Sequence, residues 1–305
     1  HSFPTRRSSD LHFGLRLVVP KWNKQIRNMF VRFGISIVGS GFYQITIILG
    51  TMVASWQSGA VSWLYYANRL QQLPLGVIGA AISVALLPLL SKKLKAGDKE
   101  EAAQTQDKAI IYGLIMSLPS AVIFICLADS LVELLFEHGK FTASDTFKTA
   151  LALKAYAVGL PCYVMVKALM PNFFARGDTV TPVKYSAVVF AANFIMNLIL
   201  MKPFGHIGIA AATSVAAFVS LYQYLHGLKK RGFWTMSADL KKKITDICLC
   251  PLITGIILFI TEYGLNIFIP QKHILWLILK LSVIGTIGLA TFLIAAKIKH
   301  VMDIC

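Results

Sequence analysis

The sequence predicts an all-α, polytopic membrane protein with eight transmembrane helices, and three observations predict it. Of the 305 residues, 56% are hydrophobic and only 14% charged. With a mean hydropathy of +0.66, that is too little charge to coat a soluble domain of this size. Uncharged runs of about 20 residues recur along the chain, the length a helix needs to cross the hydrocarbon core. The net charge of +16 gathers at the ends of those runs. It therefore reads as topology signal and contact to acidic membrane lipids, and argues against nucleic acid as a partner.

Residues 1–11 (His1-Ser2-Phe3-Pro4-Thr5-Arg6-Arg7-Ser8-Ser9-Asp10-Leu11) match one reading frame of a common sequencing adaptor and are set aside as non-native. On that reading the gene's true beginning is missing. Residues 12–28 form a basic lead-in carrying Lys21, Lys24 and Arg27, and the first span follows at about 29–56. The second, 59–90, ends in Lys92, Lys93 and Lys95, and a polar stretch around Gly97-Asp98 is expected to enter a surface helix. Span three covers 109–135. Span four, 147–175, ends at Arg176, with Lys184 close behind. Spans five and six occupy 182–201 and 207–228, and the basic linker 229–243 separates this six-helix lobe (29–228) from a C-terminal pair (244–305). That pair holds spans seven and eight, 244–263 and 274–296, followed by Lys297 and Lys299. The opposite loops carry only Lys140, Lys148, Lys202 and Lys272. The positive-inside rule makes the basic set, and the C-terminus, cytoplasmic.

Nothing points to bond-making chemistry. There is no P-loop, HExxH, GxSxG or dinucleotide glycine fingerprint. His138, His206, His226, His273 and His300 are scattered near span ends. Cys126, Cys162, Cys248, Cys250 and Cys305 contain no CxxC pair and read as structural thiols. A transporter, with no enzyme activity, cofactor or resident metal, is the expectation.

Arg69 is the most informative residue, the one charge between Gln57 and Ser91. A helix entering near Gly59 carries it about 15 Å deep, near the midplane. It cannot deprotonate, and its fork of donors suits phosphate oxygens. It either faces an anionic passenger or pairs with a carboxylate on another helix. No carboxylate lies equally deep, because Asp129 and Glu133 sit near the outer end of span three. Pro74, with Gly76 and Gly79 after it, marks either a hinge that rocks during transport or a static kink. Lys154 and Lys280 lie close enough to the outer boundary to snorkel, whereas Lys167 is deeper and remains open. Asn193 and Asn197 share one face of span five. With Thr213 they either offer oxygens to a small cation or join helices by hydrogen bonds.

The run Val61-Ser62-Trp63-Leu64-Tyr65-Tyr66-Ala67-Asn68-Arg69-Leu70-Gln71-Gln72-Leu73-Pro74-Leu75-Gly76-Val77 resembles the bacterial lipid II flippases of the MurJ/MviN type. Leu87-Pro88-Leu89-Leu90-Ser91 agrees, as do Gly139-Lys140-Phe141-Thr142 and Ala155-Tyr156-Ala157-Val158-Gly159-Leu160. Phe173-Phe174-Ala175-Arg176-Gly177-Asp178 with Thr181-Pro182-Val183-Lys184 completes the match. The resemblance implies a fourteen-helix exporter of two six-helix lobes plus a final pair, with the eight spans here as the seventh to fourteenth and the first lobe missing. It implies transport of an undecaprenyl-pyrophosphate-linked peptidoglycan precursor across the bacterial inner membrane, and a lipid-tail groove in the last two helices. Arg69 falls on a cavity arginine, with Ser62, Asn68 and Gln72 as its companions in the pyrophosphate site. Many relatives carry aspartate at Asn68 and an acidic residue at Gln72, so this site should be more electropositive. Sodium-binding relatives have acidic residues around Gly50 and Asn197, and their absence weakens the case for a sodium site while leaving membrane potential as a drive. Competing readings are another exporter of the same superfamily (a polysaccharide-lipid flippase or multidrug antiporter) or a structural membrane protein in which Arg69 only pairs helices.

Overall fold

The computed structural model describes residues 23–268 and 274–298. The segment 1–11, most of the basic lead-in, Lys272 and Lys299 lie outside them. In chain order the helices are α1 Lys24–Ala54, α2 Ala60–Pro74, a π-helical turn Leu75–Gly79, α3 Ala80–Lys95, α4 Lys99–Cys126 and α5 Ala128–Phe136. Then come α6 Ala143–Ala175, α7 Val180–Phe204, α8 His206–Lys230, α9 Ala238–Phe268 and α10 Ile274–Ile298. No strand occurs among the described residues. Among the described residues, six stretches are long and apolar enough to cross a membrane: Ala60–Lys95, Lys99–Cys126, Ala143–Ala175, Val180–Phe204, His206–Lys230 and Ala238–Glu262. In α1 and α10, the expected first and last spans, the apolar stretches are the shorter Gln44–Ala54 and Trp276–Phe292.

Two expectations around span three change. No separate surface helix precedes it, because Asp98 caps α4 directly, its side chain accepting the Glu101 N–H at 2.9 Å. Glu100 and Glu101 then sit where the helix dipole favours negative charge, so the polar residues are simply the first turns of α4. At the other end the span breaks at Leu127, and α5 begins immediately after it.

Helix α6 is the hub, with α2, α3, α4 and α8 packed round it. Its start is fixed by a capping box: Asp145 accepts from both the N–H and the hydroxyl of Thr142. Small residues bring its neighbours close. Ala150, Ala152, Ala157, Ala210, Ala212 and Ala217 are all fully buried, and a Cβ on Gly159 would stand 2.8 Å from the Ser214 backbone. Buried amides tie α4 to α6, Gln106 donating to the Ala168 carbonyl at 3.0 Å and accepting from Asn172 at 3.1 Å.

The connection from α8 to α9 is pinned to the lobe. Arg176 donates to the Phe233 carbonyl (3.0 Å), the Trp234 indole donates to Asp107 (2.7 Å), and Arg231 pairs with Asp178. Burial alone would raise the Asp178 pKa, but hydrogen bonds from Thr181 and the Arg231 charge hold it below the usual carboxylate range.

Candidate functional site

Helix α2 presents two faces of opposite character. Ala60, Trp63, Leu64, Ala67, Leu70 and Gln71 are buried. Trp63 anchors the N-terminal end, its indole donating to Asp145 at 2.8 Å, its ring under Lys148 (4.3 Å) and against His206 (5.0 Å). Gly59 permits this anchor. Its φ of 83° is left-handed, and a Cβ there would meet the Trp63 ring at 2.6 Å. Further along, Gln71 donates to the Tyr156 carbonyl at 3.0 Å. With that face fixed, helical spacing turns Ser62, Tyr65, Arg69 and Gln72 to the uncovered side, where all four are exposed.

Arg69 has no carboxylate partner among the described residues. Its Nη2 donates to the Tyr65 hydroxyl at 2.9 Å, and its guanidinium lies 4.8 Å from the Tyr65 ring centroid. Tyr65 was not among the expected site residues, although its position four before Arg69 was the signal that could have found it. Asn68 accepts from Gln72 across one helical turn. Its side chain also interacts with the Tyr156 hydroxyl, which reaches Thr213 in turn. The structure thus places Ser62, Asn68, Arg69 and Gln72 along one side of α2, with Asn68 and Gln72 beside Arg69 and Ser62 about 10 Å nearer the N-terminal end, and the Arg69 guanidinium keeps donors free.

Pro74 ends α2, and the π turn follows at once. Proline removes the N–H that Leu70 would receive, and the ladder re-forms in a wider register. Gly76 meets nothing within 4 Å of a built Cβ, while Gly79 is crowded by the Lys167 stem at 3.2 Å. Lys167 therefore lies beside the π turn, about 15 Å along the helix from Arg69. Its carbonyl accepts from Ser83 at 2.8 Å and its side chain is exposed.

Asn193, Asn197 and Thr213 do meet, and both asparagines are buried. Asn197 donates to Asn193 (3.0 Å), Asn193 to Thr213 (3.5 Å), and Thr213 to the Ile209 carbonyl (3.0 Å). Gly50 faces Asn197 with no side chain. Within this cluster the Asn197 Oδ1 is left buried without a hydrogen-bond partner. One unpartnered, neutral oxygen with no carboxylate beside it does not fit a sodium ion.

Two lysines expected to snorkel are paired instead. Lys154 meets Asp129 at 2.5 Å. Lys280, only 7% exposed, donates to Ser130 (3.1 Å) and lies 3.8 Å from Glu262, which itself accepts from Ser130 at 2.8 Å. An apolar cavity of about 360 Å³ lies between α4 and α9, lined by Val122, Ile125, Cys126, Ile256, Phe259 and Ile260.

A family model described as "Lipid II flippase MurJ" matches residues 3–279, starting inside the adaptor-like segment. The chain is 34% identical over 301 residues to "Probable lipid II flippase MurJ" of Rickettsia prowazekii (strain Madrid E), covering 97% of this chain and 58% of that protein. It is 34% identical over 254 residues to the protein of the same description from Rhizobium meliloti (strain 1021), covering 83% and 47%. It thus spans about half the length of these curated relatives. Among solved structures, "Lipid II flippase MurJ, inward closed conformation" superposes with a TM-score of 0.71 at 25% identity, covering 92% of this chain and 57% of that one. An outward-facing multidrug resistance MATE family transporter of the MOP superfamily shares the fold, with a TM-score of 0.59 at 17% identity over 90% of this chain and 65% of that one. In sequence over most of its length, and in the path of its helices, the chain belongs to the lipid II flippase MurJ family.

Proposed function

We propose that this chain supplies the second six-helix lobe and the final helix pair of a fourteen-helix flippase, all eight of its spans crossing the bacterial inner membrane. The cargo is an undecaprenyl-pyrophosphate-linked peptidoglycan precursor, moved from the cytoplasmic to the outer leaflet. The observation that carries this reading is Arg69: a permanent charge, deep in a membrane helix, exposed and held by Tyr65 rather than by a carboxylate. On a lipid-facing surface such a charge costs about 2.5–3.5 kcal/mol even on the gentlest scale, so the face must look into a polar cavity. The guanidinium fork matches a pyrophosphate, with Asn68, Gln72 and Ser62 as polar companions and Lys167 as a second cation further along.

The cycle is alternating access. The headgroup docks on Arg69 and on groups of a first lobe, which faces α2 and α3 across the cavity, while the isoprenyl tail stays in the membrane. The apolar cavity between α4 and α9 suits part of that tail. Pro74, Gly76 and the π turn supply a bend at which the cavity-lining helix changes direction. No covalent step is needed. A charge moving through the field contributes about 2.3 kcal/mol per 100 mV. The basic ends of the helices, including the C-terminal end of α10, face the cytoplasm in this arrangement.

Complementation tests it. Residues after Leu11, joined to the first lobe of a close relative, should rescue flippase-depleted bacteria. Arg69→Ala should abolish rescue and Arg69→Lys should fail largely too, because a point charge does not reproduce a bidentate contact. Rescue by both variants would make Arg69 a structural residue. Failure of the unsubstituted chimera, with good membrane expression, would favour a different cargo.

A further inference from the structure

A second cavity, of about 270 Å³, opens where α8 ends and α9 begins, with Tyr222, His226, Lys229, Trp234, Met236 and Lys241 among its lining residues. We infer that it is a binding site for an anionic glycerophospholipid, the lipid phosphate lying between Lys229 and Lys241. The site is separate from the Arg69 face and does not depend on what that face transports.

Position together with charge sets these two lysines apart from the other lysines at this end that lack a carboxylate partner, because both border this cavity. At this end of the molecule Arg231 is neutralised by Asp178, Lys243 by Asp239 (2.6 Å) and Lys93 by Glu101 (3.1 Å). Neither Lys229 nor Lys241 lies within 4.0 Å of a carboxylate among the described residues, yet both border one cavity. Two uncompensated cations facing one concave space favour an anion.

The walls specify which anion. They are aromatic and apolar: His226 stacks on Tyr222 at 5.9 Å, and Trp234 is 4% exposed, fixed by its bond to Asp107. From the cavity an exposed stripe of Tyr222, Phe218 and Val215, each about one turn further along α8, runs toward the middle of the span. An acyl chain lying on that stripe places its phosphate at the lysines. A free phosphate has no use for the stripe. Tyr and Trp at a span end, next to basic residues, also match the chemistry of the membrane–water boundary. The cavity is preformed, because Arg176, Arg231 and Trp234 pin the 231–237 connection to the lobe.

The test is native mass spectrometry of the purified full chain, loaded with phosphatidylglycerol or phosphatidylcholine. Phosphatidylglycerol should be retained in preference to phosphatidylcholine, and Lys229→Gln/Lys241→Gln should weaken retention about tenfold or more. Lys229→Arg/Lys241→Arg should keep it, and so should Lys92→Gln/Lys95→Gln, which removes the same charge elsewhere at the basic end. Equal loss in that control pair would reduce the effect to diffuse surface charge and overturn the site. So would equal retention of phosphatidylcholine, displacement by millimolar inorganic phosphate, or unchanged binding in the glutamine pair.

Discussion

A guanidinium cannot shed its charge when water is withdrawn, so the groups around Arg69 decide how strongly it attracts an anion. Those groups are neutral. Tyr65 supplies a hydroxyl and a ring face, and Asn68 and Gln72 bond to each other. Asn68→Asp would put a carboxylate next to Arg69 in sequence, one helical turn from Gln72, and neutralise part of its field. Binding of a pyrophosphate probe to the chimeric flippase should then weaken by about tenfold and lose some of its salt dependence. Identical salt dependence for the two proteins would remove the claim that this site is unusually electropositive. Arg69 was legible in the sequence because one charge in 35 residues cannot be missed. The ring beneath it was legible only through helix phase, since Tyr65 and Tyr66 are adjacent and the four-residue spacing is what puts Tyr65 under the guanidinium.

At the scale of elements, the docking of α9 and α10 onto the lobe turns on a polar knot in an apolar setting. Glu262 on α9, Lys280 on α10 and Ser130 on α5 form one connected set, with the two charged side chains only 13% and 7% exposed. Removing one partner strands the other charge, so Lys280→Met or Glu262→Leu alone should each destabilise the purified chain by about 3 kcal/mol. The double variant should cost clearly less than their sum, read from thermal unfolding of all four proteins as a double-mutant cycle. Strict additivity would show that the pair is not coupled. Sequence alone placed Lys280 in a snorkelling position because depth within a span can be counted, whereas the arrival of α5 from another part of the chain cannot. The same limit applies at Leu127, where α4 breaks inside what reads as one apolar run. It applies again at the π turn, since Pro74 announces a lost hydrogen bond but not the register in which the ladder resumes.

Over the whole molecule, the helices bury one side and leave long stripes open on the other, and the stripes differ in kind. On α7 the open residues are Val188, Ile195 and Ile199, while Asn193 and Asn197 turn inward. That is a surface suited to lipid. On α2 and α3 the open stripe is Ser62, Tyr65, Arg69 and Gln72, continuing through Gly76, Val77, Ala80 and Val84. Its polar half is the part proposed to line the transport cavity. Hydropathy made six of the eight expected spans readable, but which side of each span is covered depends on α6 and its small residues, and that emerges only from packing. The two stripes give opposite expectations for water. In the chimeric flippase, freed of its native cysteines, Gln72→Cys should react with a membrane-impermeant maleimide, and a lipid-linked pyrophosphate should protect it. Ile195→Cys should stay unreactive in the same membranes, because a lipid-facing thiol meets little water and forms little thiolate. If Gln72→Cys proved as inert as Ile195→Cys in every state of the transport cycle, the face carrying Arg69 would not line an aqueous cavity. Arg69 would then need a partner from the first lobe to hold its charge.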